Sequence, residues 1–384
     1  MLHKAMRNEI ISILKDFGYS NNIFGGKMLK SLNWFPYNKT ILEDFIKKYS
    51  SQKGIIVFDW DNTSIFNDIG EACFFHLVTT LQFKISPDNF EELIPDQVKG
   101  IKRINYNNQF FELFDLKKDL LKDYEKLYSL IVKNDIHKAF STAEYSCFRL
   151  TLLLIYLGFK NTLGIESSYA YYWVVRFFQG FTIKEIKAFS KEVFNIELTK
   201  PIEKLSINAF PVKKSDELFI KWPVGIRVFP EIINLFEVLR KSDFKVCIVT
   251  ASLEYIVQSI AEEYGFLIPN NRVFGLRLKE NNNILSNKVM YNDDYPLSVH
   301  EGKVRIIQNN LPSEPLMVAG DSNTDFEMLT QFTSTKLRLL INCKHTGNIE
   351  KLYEKAYNSD SGYILQGRDE STGSFRPFRE TINS

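Results

Sequence analysis

A short apolar run, Gly54-Ile-Ile-Val-Phe58, passes without a break into Asp59-Trp-Asp61-Asn-Thr63. The run is rich in β-branched residues and shows no polar alternation. It therefore predicts a strand buried on both faces, as in a parallel sheet covered by helices. Two further runs have the same form: Phe244-Lys-Val-Cys-Ile-Val249 leads into Thr250-Ala-Ser252, and Leu316-Met-Val-Ala319 leads into Gly320-Asp321. Helical patterns separate them, over 230–242 with Ile233, Phe236 and Leu239 on one face, from Ala251 to about 264, and over 302–310. Strands alternating with helices imply a parallel sheet with right-handed crossovers, whose ligands sit beyond the carboxyl ends of the strands. Asp59 and Asp61, Thr250 and Ser252, and Asp321 and Asp325 all fall at such ends.

The chain has 384 residues, enough for two to three domains and for a core that needs neither disulfides nor a structural metal. Residues 76–221 differ from the rest. Phe110, Phe111, Phe114, Leu121, Tyr124, Leu127, Tyr128 and Ile131 recur at helical spacing over 108–134, and helical patterns continue over 137–158, 168–179 and 182–194. The expected organisation is an N-terminal helical segment (1–50), a doubly wound parallel-sheet α/β core (51–75 and 222–345), an inserted all-helical cap (76–221) and a polar C-terminal tail packed on the core (346–384). Asn281-Asn-Asn283 suggests a hairpin within the core.

Net charge is +2, so no global basic field calls for nucleic acid or an anionic membrane. The N-terminus lacks a signal-peptide pattern, and the longest apolar runs are too short to span a bilayer, which reads as a cytoplasmic, soluble chain. Cys73, Cys147, Cys247 and Cys343 form no C-x-x-C pair and are widely spread, pointing to free thiols rather than a zinc knuckle or disulfide framework.

Asp59 and Asp61 would repel each other without a nearby cation, and Mg²⁺ is the ion that takes a few carboxylates together with water and phosphate oxygens. Alone, a strand-end Asp is a turn or cap residue; the D-x-D-x-T unit after a buried strand is more specific. Gly320-Asp-Ser-Asn-Thr-Asp325 alone reads as a tight turn with Thr324 or Asp325 as helix N-cap, and paired with the first motif it supplies further oxygen ligands. Thr250 and the amides of Ala251 and Ser252, expected to open a helix, suit an anion. Lys303 gains weight only from its order in the chain.

These four elements, FDWDNT (58–63), VTAS (249–252), GK (302–303) and GDSNTDFEML (320–329), resemble the haloacid dehalogenase-like phosphatase superfamily over about residues 54–342. FDWDNTSIFNDIGEA, FPEIINLFEVLRKSDFKVCIVTAS and NRVFGLRL resemble its phosphoserine and phosphorylcholine phosphatase branch. The closing LQGRDESTGSF belongs to that likeness without an assigned chemistry. The resemblance implies Asp59 as nucleophile and Asp61 as general acid and base. It implies Thr250, Ala251, Lys303 and Asn323 around the phosphoryl group. It also implies Mg²⁺ held by Asp59, the Asp61 carbonyl, Asp321 and Asp325. Asp61 argues against a true dehalogenase or phosphonatase. Thr324 stands where this branch often has Asn, with Asn323 one residue earlier, which leaves either to meet phosphate. Asp68 and Glu71 lie where the branch places acidic groups facing a cationic substrate; a helix start explains them equally well. Tyr171, Tyr172 and Trp173 offer a quaternary-ammonium cage or simply core.

The resulting expectation is a Mg²⁺-dependent phosphomonoester hydrolase acting on a small phosphorylated metabolite, with phosphoserine, phosphorylcholine and phosphoethanolamine as candidates. The alternatives are a phosphotransferase and a non-catalytic binding protein on the same fold. The sequence is silent on oligomeric state.

Overall fold

A computed structural model describes residues 28–209 and 218–383; residues 1–27 of the expected N-terminal helical segment lie outside them. Seven strands form the main sheet: β1 (Ile55–Phe58), β8 (Lys245–Leu253), β9 (Val273–Asn281), β10 (Ile284–Met290), β11 (Met317–Gly320), β12 (Leu337–Ile341) and β13 (Tyr363–Gln366). The remaining pairs are β2 (Ile65–Phe66) with β7 (Arg227–Val228), β3 (Arg103–Tyr106) with β4 (Gln109–Glu112), β5 (Glu203–Asn208) with β6 (Phe219–Val224), and β14 (Arg368–Asp369) with β15 (Ser374–Phe375). The main sheet runs in the order β10-β9-β8-β1-β11-β12-β13, parallel throughout except for β10. The β9–β10 turn falls at Asn282 and Asn283, both with positive φ, where the sequence suggests a hairpin. This is a parallel-sheet α/β core flanked by helices, with the insert between β2 and β7.

Every residue of β1 is buried, and the two-residue period divides them between two cores. Ile56 and Phe58 join the larger cluster, which continues into the insert through Phe74, Trp173, Phe177 and Trp222. Ile55 and Val57 face the smaller one, with Val304, Ile307, Val318, Leu340 and Leu352. A strand covered on both sides has no use for polar residues, which is why its sequence shows none.

The insert leaves after β2 and returns at β7, and these two short strands pair antiparallel. It docks on the outer hairpin, where Gly180 N and Leu285 O, and Leu285 N and Phe181 O, bond at 2.9 and 2.8 Å. It is not all-helical. Phe110 and Phe111 belong to β4, not to the helix, which covers Leu113–Val132 and buries Leu113, Leu120, Tyr124 and Leu127. The turn before β4 is Asn107-Asn108, both at positive φ, the pairing a two-residue hairpin needs. Neighbouring phenylalanines that happen to extend the helical spacing masked that signal. A second hairpin, β5–β6, buries Ile220, Trp222 and Val224, a period of two that Pro223 obscures.

The C-terminal segment is also more than a surface tail. β13 is a buried edge strand that extends the sheet beyond β12, and the helix Asn348–Lys355 packs Ile349 and Leu352 into the smaller core. The apolar run of β13, Tyr363-Ile-Leu365, is shorter than those of β1 and β11 and ends in the polar Gln366, so it does not stand out from the turns around it. The helix Pro36–Tyr49 lies against this edge, with Asn38 Nδ2 donating to Leu365 O and Phe35 N to Gln366 Oε1.

Candidate active site

The parallel ladder runs one residue past β1, where Asp59 N donates to Ala319 O at 2.9 Å. That bond pins Asp59 at the sheet's carboxyl end. Ser64 Oγ donates to its carbonyl at 2.7 Å, and Trp60 turns fully into the core against Phe266. Asn62 and Asn67, both at positive φ, bend the chain so that Asp61 comes back beside the strand end. The two carboxylates of the D-x-D unit thus face different neighbours.

Lys303 is fully buried, and its Nζ donates to Asp59 Oδ1 at 2.5 Å and to Asp325 Oδ1 at 2.6 Å. Burial alone would lower its pKa; Asp325 and Asp59 more than offset this and hold the ammonium charged. Gly302 lets the helix start approach this closely, since a Cβ there would stand 1.7 Å from Leu297 O. Gly320 serves the same purpose rather than supplying an unusual φ: its Cβ would sit 2.8 Å from Asp325 Cβ. Burial first, then the Asp325 charge, push the Asp59 carboxyl well above the usual range, with Lys303 pulling the other way.

Carboxylate oxygens of Asp59, Asp321 and Asp325, all buried, lie within 4.8 Å of one another. Three acids facing one lysine form an all-oxygen donor set that suits a hard cation such as Mg²⁺. Asp325, expected as a ligand, is already committed: Oδ1 to Lys303 and Oδ2 to the amides of Asp321 and Ser322 at 3.1 Å each. Its geometry orients Lys303 and the Asp321 loop. Thr63 Oγ1 fixes Asp321 Oδ1 at 2.9 Å, the part played by the threonine of the first motif.

Asp61 stands apart from that group. Ile69 N donates to Oδ1 at 2.8 Å, Ser252 Oγ to Oδ2 at 2.7 Å, and Thr250 Oγ1 approaches Oδ2 at 3.4 Å. Burial raises its pKa to about 6 against the bonds from Ser252 and Ile69. Ala251 lines the cavity but opens no helix, because β8 runs on to Leu253 and the helix begins at Glu254. The expected helix N-terminus is therefore two residues too late to present the Ala251 amide.

Above these groups lies a cavity of about 200 Å³, walled on the insert side by Lys160, Tyr171 and Glu197. Asp68 and Glu71 both line it. Asp68 also caps the helix Ile69–Thr80 by accepting from Glu71 N at 2.8 Å, as its place at a helix start suggests. Glu71 is spoken for: Oε1 accepts from Lys160 Nζ at 2.5 Å and from Tyr156 OH at 2.7 Å. Of the three aromatic residues, Tyr171 alone lines the cavity; Trp173 is fully buried with Nε1 bonded to Leu93 O, and no cage forms.

Asn323 does not reach the cavity, whereas Thr324 does. Its amide spans two other groups, donating to Thr346 O at 2.7 Å and accepting from Ile349 N at 3.0 Å. Sequence reasoning missed Lys160 and Arg368. Lys160 looks like any helix-surface lysine. Arg368 is buried, stacks over Phe66 and donates to Asn62 Oδ1 at 3.1 Å, so the LQGRDESTGSF segment braces the turn that carries Asp61.

Residues 199–330 match the family model described as haloacid dehalogenase-like hydrolase, and the α/β fold is of that type. No curated protein matches the chain. A solved structure of a conserved, functionally unknown protein from Anaerococcus prevotii is 27% identical, with a TM-score of 0.82 over 94% of this chain and 100% of its own. A protein of unknown function from Bordetella pertussis is 12% identical over 81% of this chain and 97% of its own, with a TM-score of 0.42. A phosphoserine phosphohydrolase-like protein from Francisella tularensis is 13% identical over 78% and 92%, with a TM-score of 0.34. The latter two superpose too loosely to bear on the site.

Proposed function

We propose that the protein is a Mg²⁺-dependent phosphomonoesterase working by double displacement through Asp59. The observation that carries this reading is the Asp59–Lys303–Asp325 bridge, with Asp321 beside it and a carboxyl of pKa about 6, Asp61, held off it by Ser252. Lys303 favours the charged form of Asp59 against the pull of burial and offers a cation to the phosphoryl oxygens. Asp59 attacks phosphorus, and protonated Asp61 gives its proton to the departing alkoxide. Asp61, now a carboxylate, then takes a proton from the water that splits the aspartyl-phosphate, which returns both residues to their starting states. Asp59 and Asp321, with the Asp61 carbonyl, would hold Mg²⁺, and Asp325 would orient them. Mg²⁺ bound there neutralises charge on the phosphoryl oxygens.

In this reading residues 76–221 act as the cap over a core of 51–75 and 222–345, and the segments at either end, 28–50 and 346–384, brace the sheet edge. A cavity of about 200 Å³ suits a small metabolite. Lys160 opposite Asp68 favours a substrate carrying both an amine and a carboxylate, phosphoserine before phosphorylcholine or phosphoethanolamine.

Phosphate release from a panel of small phosphomonoesters, with Mg²⁺ and with EDTA, tests the proposal on the wild type and on Asp59→Asn. Metal-dependent release that vanishes in a folded variant is expected. Equal release by the variant would overturn the nucleophile, and no release from any ester would overturn the phosphatase reading.

A further inference from the structure

Asp321 stands at a fork. On one side its carboxylate joins Asp59 and Asp325. On the other it meets two side chains that the proposed reaction leaves idle. A carboxylate oxygen of Asp321, Cys343 Sγ and a ring nitrogen of His345 lie within 4.8 Å of one another. His345 Nε2 is 3.5 Å from Asp321 Oδ2. In a tetrahedral zinc site, nitrogen and oxygen ligands at their usual bond lengths stand roughly 3.4 Å apart. The His345–Asp321 spacing already matches that.

The two residues sit just beyond β12, in a segment held from several sides. Asn342 Oδ1 accepts from Lys344 N at 3.1 Å, and Asn342 Nδ2 donates to Arg379 O at 2.9 Å. Asn323 Nδ2, reaching across from the loop after β11, holds Thr346 O at 2.7 Å. Asn323 thus ties the segment bearing Cys343 and His345 to the loop bearing Asp321. Asp321 is buried, Cys343 half-buried and His345 exposed, so the group is reached from solvent through His345.

One sulfur, one imidazole and one carboxylate are a poor set for Mg²⁺, which favours oxygen, and a good one for Zn²⁺ and other thiophilic divalent ions. Three protein ligands with a fourth position open is the make-up of an accessible zinc site. We infer that Asp321, Cys343 and His345 form a second cation site, selective for Zn²⁺-like ions, which borrows Asp321 from the Mg²⁺ site and inhibits turnover when filled. As the sulfur–metal bond forms, the Cys343 thiol releases its proton to solvent, while His345 binds as the neutral imidazole through Nε2. The inhibition rests on the phosphatase reading; the binding does not.

The test titrates the full chain, stripped of transition metals, with Co²⁺ in the presence of Mg²⁺, and follows the thiolate-to-cobalt charge-transfer absorption before displacing the ion with Zn²⁺. One cobalt per chain, with a band lost in Cys343→Ser and an affinity lowered by roughly tenfold or more in His345→Gln, is expected. Zn²⁺ inhibition of Mg²⁺-dependent phosphate release, scored against each variant's own uninhibited rate, should weaken by a similar factor in both. No band from folded wild type overturns the site, as does a band that survives in Cys343→Ser. Zn²⁺ inhibiting Cys343→Ser as strongly as wild type would mean that it merely replaces Mg²⁺ beside Asp59. If no ester is turned over, the phosphatase reading fails alone, and the cobalt band still decides the site.

Discussion

The floor and the roof of the cavity are built on different principles. The floor is the carboxyl edge of a parallel sheet. Its charged groups are buried, spaced at 2.5–2.6 Å around one lysine, and fixed by backbone on either side. The roof comes from helices packed through large aromatics, among them Phe74, Trp173, Phe177 and Trp222. Among the described residues, Lys160 is the cation it brings to the cavity; it reaches Glu71 and lies over the rings of Tyr156 and Tyr171 at 5.5 and 5.4 Å. Sheet strands allow little adjustment, so they hold groups whose positions the chemistry fixes. Helical side chains on long stems tolerate change, so they are where selectivity is set.

The sharpest way to break this contrast is Lys303→Met. It leaves Asp59 and Asp325 buried without a counter-charge, a loss on the order of 3–5 kcal/mol, together with a fall in kcat of roughly a hundredfold or more. Urea unfolding and steady-state kinetics read the two effects; a stable, active variant would show the floor to be as tolerant as the roof. At the roof, Lys160→Met should lower the unfolding midpoint less than Lys303→Met does and raise KM for phosphoserine by roughly tenfold to a hundredfold. The KM for phosphoethanolamine, which has no carboxylate, should hardly move. A matching rise for both esters would remove Lys160 from substrate selection.

The smallest effect belongs where floor and roof meet. Ser252 donates to Asp61 and stabilises its charged form, so Ser252→Ala raises the Asp61 pKa from about 6. Asp61 must be protonated for the first step, so activity declines as pH rises through its pKa. In the variant, the alkaline limb of kcat/KM should move upward by roughly half to one pH unit. A limb that stays in place would mean another group sets it.

Some of this was legible in the chain. Three buried strands betray themselves by short apolar runs, and a polar cluster at the end of such a run marks the ligand edge. Lys303 could be picked out by its order among the motifs alone. The hairpin at Asn107-Asn108 was equally readable, but the phenylalanines beside it matched a helical period by chance. β13 was not, because its apolar run is three residues, Tyr363-Ile-Leu365, closed by the polar Gln366 and set among turn residues.

The residues by themselves thus determined the type of sheet, the edge at which chemistry gathers, and the carboxylates, lysine and threonine available there. Those are properties of short stretches, since burial and backbone geometry act over a few neighbouring positions. The tertiary structure alone decided which group each residue serves. Ser252 meets Asp61 across 191 positions, Lys160 meets Glu71 across 89, and Asn323 turns from the cavity to a backbone carbonyl 23 residues on. A charged side chain reads the same in sequence whether it faces water, a counter-ion or a substrate. What it does follows from the dielectric and the partners around it, and those exist only once the chain has closed on itself.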